Sequence, residues 1–247
     1  MNLDCIDRLL KPIVSAQTPS DLSAAMAETI GTLGFSHFAI AHHVDHGRSS
    51  ANAMRLHNYP ADWVGFYDER SLATRDPVRR ACQVTNVGFR WSGIASMIRL
   101  STNDMETLGL AQREGIFDGV TIPASVPGEP SGSCSFVSSP GQFASDDTMA
   151  MAQLLGAFAF EGARRFWRAV KDATGTSCLT DRQRDCVLWV ARGKSDWEIS
   201  RILGVSEETV TRHVKTAREK YGVHKRTLLA VRALSDGTLS FDEIMAH

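Results

Sequence analysis

Between residues 179 and 234 the apolar positions recur at helical spacing in short blocks, each opened by a polar capping residue. Thr180-x-x-Gln183 and Ser195-x-x-Glu198 are capping boxes, in which a hydroxyl serves the backbone three residues on and the longer side chain reaches back. After the first, Cys186, Val187, Val190 and Ala191 form one apolar face; after the second, Ile199, Ile202 and Leu203 do the same. Gly204 suits a left-handed helix end, and Ser206 caps a third helix whose first turn holds Glu207 and Glu208, where the helix dipole favours carboxylates. Val210, Val214, Ala217 and Tyr221 make its buried stripe, which leaves Thr211, Arg212, Lys215 and Arg218 facing outward. Gly222 ends that helix, and Leu228 to Leu234 form a fourth. Two helices joined by a short Gly-containing turn, the second carrying exposed cations, describe a helix-turn-helix. Charge alone would equally fit a helical bundle with a solvated basic face; the coincidence of caps, turn and polarity weighs against that.

Upstream the pattern mixes periods. Residues 21–33 predict a helix with Leu22, Ala25, Met26, Thr29, Ile30 and Leu33 along one stripe, and helices are also predicted at 61–70, 104–114 and 145–170. Phe35 to Val44, Ala51 to Leu56, Gly119 to Ile122 and Ser133 to Ser138 read as strands, the last two joined by a Pro/Gly-rich loop that suits a hairpin. The economical arrangement is an antiparallel sheet between helical layers. The expected class is α+β: an N-terminal α/β/α sandwich followed by an all-α helix-turn-helix domain of four helices. Domains are expected at 1–170 and 178–247, joined by a short polar linker at 171–177.

A 247-residue chain that is 43% hydrophobic supports a true core in one large or two modest domains. Net charge is −1, which conflicts with DNA binding until it is divided: residues 182–226 hold 11 Lys+Arg against 6 Asp+Glu, whereas residues 1–176 hold 15 against 18. The positive charge is local, as a footprint on phosphate requires. The five cysteines (Cys5, Cys82, Cys134, Cys178, Cys186) lack metal-ligand or disulfide-framework spacing and read as small buried hydrophobes. No targeting segment or membrane span is apparent, so a soluble cytoplasmic protein is expected.

The chemistry of the first two-thirds concentrates in Tyr59-Pro60-Ala61-Asp62-Trp63-x-x-x-Tyr67, then Asp76-Pro77-Val78, then Phe89-x-Trp91. Tyr59, Trp63 and Tyr67 recur every four residues on one helix face. Aromatics with polar handles fit a pocket for an apolar ligand body, and Asp76 among them would anchor a ligand amide. Spacing alone favours core aromatics with Asp76 as a cap before Pro77, because aromatic stripes are usually core. His37, His42, His43 and His46 lack the paired spacing of a zinc site and are expected on a strand-to-loop surface. Ser131 to Ser135 is not an esterase elbow, no Gly-rich phosphate loop exists, and no acidic phosphoacceptor cluster marks a response regulator, so no catalytic residues are assigned and an enzyme is not expected.

The C-terminal segment resembles the LuxR-type helix-turn-helix, through Leu179-Thr180-x-Arg182, Gly193-Lys194-Ser195, Glu198-Ile199, Ile202-Leu203-Gly204-Val205-Ser206, Thr209-Val210, His213-Val214 and Lys220-Tyr221-Gly222-Val223. It departs at Gln183, where the family usually has Glu, and at Lys225, where it has Asn or Ser. The Tyr59/Trp63/Tyr67, Asp76-Pro77 and Trp91 string, with Gly115, Gly119, Val120, Pro123 and Gly132-x-x-Ser135, resembles the acyl-homoserine-lactone-binding domain of LuxR-family quorum-sensing receptors. The likeness spans nearly the whole chain.

What the resemblance implies is a ligand-responsive transcriptional regulator. Trp63 would donate to the lactone carbonyl, Asp76 would accept from the amide, and Tyr59 and Ser135 would donate to the acyl carbonyl. Tyr67, Val78, Phe89 and Trp91 would wall the site, and Phe38, Ile40, Leu56, Phe117, Val120 and Phe136 are candidates for the acyl-tail wall. Arg90 is expected to point outward. The long helix at 145–170, with Ala157, Phe158, Ala159, Phe160, Ala163 and Phe166, would give a homodimer surface. Glu208, Thr211, Arg212 and Lys215 would read bases of a palindromic site on double-stranded DNA, with Arg192, Lys194, Arg218, Lys225 and Arg226 on phosphates. RNA polymerase is the further partner implied; no cofactor, metal or membrane is. The alternative is the same DNA reader fused to a sensor for another metabolite, or one acting without ligand.

Overall fold

The computed structural model describes residues 3–44, 53–126, 129–138, 141, 144–173 and 179–246, without the side chains of Leu3, Cys5 and residues 171–173. The chain forms two compact units, Met1–Ser125 with Ser131–Lys171 and Val126–Pro130 with Asp172–His247. The expected linker residues 174–177, the start of the strand expected at Ala51, and His46 and Cys178 lie outside the described residues.

The first unit opens with α1 (Leu3–Ser15) and α2 (Pro19–Thr32), followed by β1 (Phe35–His42), β2 (Arg55–His57), α3 (Ala61–Glu69), α4 (Pro77–Ala81) and β3 (Phe89–Arg90). It continues through α5 (Ile94–Met97), α6 (Thr102–Arg113), β4 (Gly119–Ala124), β5 (Gly132–Ser138) and α7 (Asp146–Ala173). The predicted stripe of α2 is realised: Leu22, Ala25, Met26, Thr29 and Ile30 are buried, and Thr18 and Asp21 form a capping box ahead of it. Helix α1 escaped the pattern because Pro12, normally a helix breaker, lies inside it; its Ile13 is nonetheless fully buried.

The five strands form one antiparallel sheet in the order β2-β1-β5-β4-β3. Register decides what each face does. Phe38 pairs with Phe136 and Ile40 with Cys134, so these side chains share a face with Val120 and Ile122 and pack against Leu22, Met26, Leu155 and Phe160 of α2 and α7. Fully burying Phe38 and Phe136 stabilises the unit by about 1.5–3 kcal/mol each. Ala39 pairs with Ser135 and with His57, and Ala41 with Ser133 and with Arg55. This second row faces the opposite layer, where Trp63, Leu72, Ala111 and Ile116 cluster with Val137. The expected α/β/α sandwich is thus formed, and its two faces are chemically unlike: one is aliphatic and aromatic, the other is small and polar.

The second unit is helical: α8 (Asp181–Ala191), α9 (Asp196–Leu203), α10 (Glu207–Tyr221), α11 (Arg226–Ser235) and a short α12 (Phe241–Met245) beyond the four expected. Both capping boxes form, at Thr180/Gln183 and Ser195/Glu198. Backbone and hydroxyl donation from Ser195, helped by Lys194, lowers the Glu198 carboxyl to about 2. Gly204 closes α9 at φ 65°, a left-handed conformation that costs a residue with a Cβ about 1–2 kcal/mol. Cys186, Val187, Val190, Ile199, Val210, Val214, Ala217 and Leu229 make the core. Ile202, assigned from its spacing to the apolar face of α9, is instead 44% exposed.

Candidate functional sites

A cavity of about 510 Å³ lies on the small-residue face of the sheet. Helix α3 delivers Trp63 and Tyr67 to it, and Tyr59 precedes Pro60 at the helix start. Tyr67 donates its hydroxyl to Asp76 Oδ2 at 2.7 Å, and the backbone N–H of Val78 donates to Asp76 Oδ1 at 2.8 Å. Asp76 therefore caps α4 and also faces the cavity. The cap expected before Pro77 is realised, and the same carboxylate lines the cavity with acceptor capacity to spare, since its two oxygens have about four acceptor positions and only two are taken. Burial, reinforced by the Asp76 charge, pushes the phenols of Tyr59 and Tyr67 well above their ordinary value, so both keep their protons. No acceptor within the described residues takes the Tyr59 hydroxyl or the Trp63 indole N–H, and both groups line the cavity.

A chain of hydrogen bonds crosses the sheet beneath. The Trp91 indole donates to Thr121 Oγ1 at 2.8 Å, and Thr121 Oγ1 lies 2.8 Å from Ser135 Oγ. With Thr121 donating onward, the Ser135 proton is left for the cavity. Gly119 makes this possible: a Cβ there would stand 2.4 Å from the Phe136 carbonyl oxygen and 3.1 Å from the Trp91 ring. Thr121 was missed in the sequence, although alternation from Ser135 across paired strands is the signal that would have found it.

Of the ligand residues expected, Tyr59, Trp63, Tyr67, Asp76, Val78, Trp91 and Ser135 meet at this cavity. Phe89 does not line it. It pairs with Thr121 at the sheet edge and packs with Ala81 and Ile94. Of the tail-wall candidates only Phe117 lines the cavity; Phe38, Ile40, Leu56, Val120 and Phe136 face the helical layer of α1, α2 and α7. The correction is one of strand parity, because a one-residue step flips every side chain to the other face. Arg90 points away as expected, bonding the Ala144 carbonyl and Asp146. In place of the expected aromatics, the wall includes Ala39, Ala41, His43, Arg55, His57 and Ser133.

Within the described residues, His42 and His43 are not on the surface where they were expected. His42 is fully buried, edge-on to Trp167 with ring centroids 4.6 Å apart. His43 sits on the cavity wall 2.9 Å from Ser133 Oγ; burial, then the Arg79 and His42 charges, lower it to about 3. Among the cysteines, Cys134 and Cys186 are buried as expected, whereas Cys82 is half-buried. On α7, Ala159, Phe160 and Ala163 are buried in their own unit and Phe166 packs against the same core, so of the residues expected at a dimer surface only Ala157 and Phe158 are exposed, beside Leu154.

In the second unit Glu208, Thr211, Arg212 and Lys215 are exposed along one face of α10. Asp196 ties this helix to its neighbours: Thr211 donates to it at 2.8 Å, and Arg226 pairs with it while also bonding the Lys194 carbonyl. Arg226 is thus engaged in holding α9 against α11, and Arg192 bonds the Glu243 carbonyl and stacks over Trp189. Lys194 pairs with Glu198 at 3.2 Å, Arg218 donates to the His224 carbonyl at 3.0 Å, and Lys225 is exposed. The freely presented cations are Arg212, Lys215 and Lys225 among the residues expected at DNA.

Residues 18–163 match the family described as autoinducer binding domain, and residues 177–233 match bacterial regulatory proteins of the luxR family. The chain is 24% identical over 241 residues to the transcriptional activator protein LuxR of Aliivibrio fischeri, covering 97% of this chain and 96% of that one. It is 30% identical over 201 residues to y4qH of Sinorhizobium fredii, described as an HTH-type transcriptional regulator; that match spans 78% of this chain and 59% of y4qH. The fold superimposes on Escherichia coli SdiA with a TM-score of 0.74 at 21% identity, covering 95% of this chain and 98% of SdiA. With an autoinducer-binding domain over its cavity and a luxR-type helix-turn-helix behind it, the chain belongs to the LuxR family of DNA-binding transcriptional regulators.

Proposed function

We propose that this regulator binds an N-acyl-homoserine lactone in the cavity of residues 1–170 and, as a homodimer, a palindromic promoter site through residues 178–247, with 171–177 as the linker. The observation that carries the ligand reading is the set of unspent polar groups around one apolar cavity: the Trp63 indole N–H, the Tyr59 hydroxyl, the Ser135 hydroxyl and the remaining acceptor capacity of Asp76. Two carbonyls and one amide N–H are what an acyl-homoserine lactone presents, and they need donors and an acceptor of these kinds. Filling the cavity favours the ligand-bound, DNA-competent population. Glu208, Thr211, Arg212 and Lys215 read bases, and paired half-sites about one helical turn apart follow from two-fold symmetry. The outward strip Leu154, Ala157 and Phe158 of α7 supports the dimer reading. RNA polymerase and a cytoplasmic setting belong to the same reading.

The test is a thermal-shift panel on the full chain with N-acyl-homoserine lactones of graded chain length. A chain-length optimum with a rise of several degrees is expected. No shift with any of them overturns the lactone reading in favour of another metabolite or of a regulator acting without ligand.

A further inference from the structure

The cavity wall carries more hydrogen-bond donors than an alkyl tail can use. Ala41 and Ser133 form the row next to Ala39 and Ser135, and Arg55 is paired opposite Ala41. Two residues along a strand is roughly 7 Å, so this second row lies a short acyl chain beyond the Ser135 hydroxyl. Arg55 spends a single guanidinium nitrogen on Asp68, at 2.9 and 2.7 Å. Arg79 spends one on the Val44 carbonyl at 3.0 Å. A guanidinium has five N–H donors, so both retain donors, and both line the cavity together with His43, His57 and Ser133. An alkyl terminus would cover these donors and offer them no acceptor.

We infer, on the basis of the proposed lactone reading, that the ligand's acyl group carries a neutral hydrogen-bond acceptor at its end remote from the amide, such as a terminal hydroxyl, read by Arg55, Arg79 and Ser133. Neutrality follows from the charges on the wall. Asp68 already pairs with Arg55, and Asp76 shares the cavity with Arg79, so the lining holds no uncompensated positive charge to attract a carboxylate. The small side chains of Ala39 and Ala41 leave the floor between the two rows open for the connecting carbons.

The test compares matched lactones on the full chain: terminal methyl, terminal hydroxyl and terminal carboxylate at equal chain length, with dissociation constants from calorimetry. The hydroxyl compound is expected to bind at least about tenfold tighter than the methyl compound, because a site built to bond a hydroxyl rejects the analogue lacking it, and tighter than the carboxylate. Ser133→Ala and Arg79→Met should each bring the hydroxyl-to-methyl ratio toward one. If Arg79→Met fails to fold, Ser133→Ala and the wild-type ratio still decide. Equal or tighter binding of the methyl compound overturns the inference and leaves the lactone reading standing; tighter binding of the carboxylate overturns its neutral form. No binding by any of the three overturns both readings.

Discussion

Asp76 caps α4, the lactone reading gives it a second task, and substitutions separate the two. Asp76→Ala removes the cap on α4, worth about 1 kcal/mol, and strands the buried Tyr67 hydroxyl, which costs about 1–3 kcal/mol. The sum, roughly 2–4 kcal/mol, lowers Tm by about 4–16 °C for a domain of this size. Asp76→Asn is nearly isosteric. Its carbonyl oxygen can still accept from the Val78 N–H, and its amide can donate to the Tyr67 oxygen, so the fold should lose about 1 kcal/mol or less. What the amide cannot supply is a charged acceptor for a ligand N–H. The expected result is therefore a split: Asp76→Asn melts near wild type yet shows no ligand-dependent rise, whereas Asp76→Ala loses both. Thermal melts of the three proteins, with and without the best lactone, provide the readout. A full ligand shift in Asp76→Asn would refute the assignment of Asp76 to the site, and a wild-type melt for Asp76→Ala would refute the structural half.

Other consequences are equally open to measurement. His43 is held at about 3 against an ordinary 6.5, so between those values the unfolded chain binds a proton that the fold refuses. Its contribution is complete above pH 6.5 and is lost as pH falls: from pH 7 to 5 urea unfolding should show a loss of about 2 kcal/mol that His43→Gln lacks, and equal losses in both would remove His43 as the cause. Gly119→Ala should cost about 1–3 kcal/mol by overpacking and should alter Trp91 fluorescence; an unchanged melt would contradict the close approach. Arg212→Ala should relax preference at one base position, a loss of about 1–3 kcal/mol confined to that position, whereas Lys225→Ala should weaken all DNA alike and reduce the salt slope by about 0.9. Identical effects of the two substitutions would reject the division between base and phosphate contacts.

The caps and turns of the second unit were legible because they are local. A capping box links residues three apart, and Gly204 needs only its own backbone to adopt φ 65°, so helix boundaries at 180, 195 and 206 follow from residue types alone. Trp63, Tyr67 and Asp76 were legible for the same reason, since helical spacing and one N-cap carry them, whereas Tyr59 precedes the helix whose face it was expected to share.

What only the tertiary structure decided is the sign of each face. Ser135 and Phe136 are neighbours in sequence, and nothing local says which one meets the cavity; the pairing of β1 with β5 does. That pairing excluded Phe38, Ile40 and Phe136 from the wall and brought in Ala39, Ala41 and Ser133, with His57 and Arg55 following through β2. His42 and His43 went in opposite directions for the same reason, one into the core and the other onto the cavity. On α7 the stripe spacing gave a helix, yet packing against the sheet consumed most of the aromatics assigned to a dimer face. The sequence by itself determined the helix-turn-helix, the helix-and-strand make-up of the first unit and the polar aromatics and carboxylate that line its cavity. Which side chains share the cavity was set by strand register, because a period of two makes the choice of face depend on long-range partners.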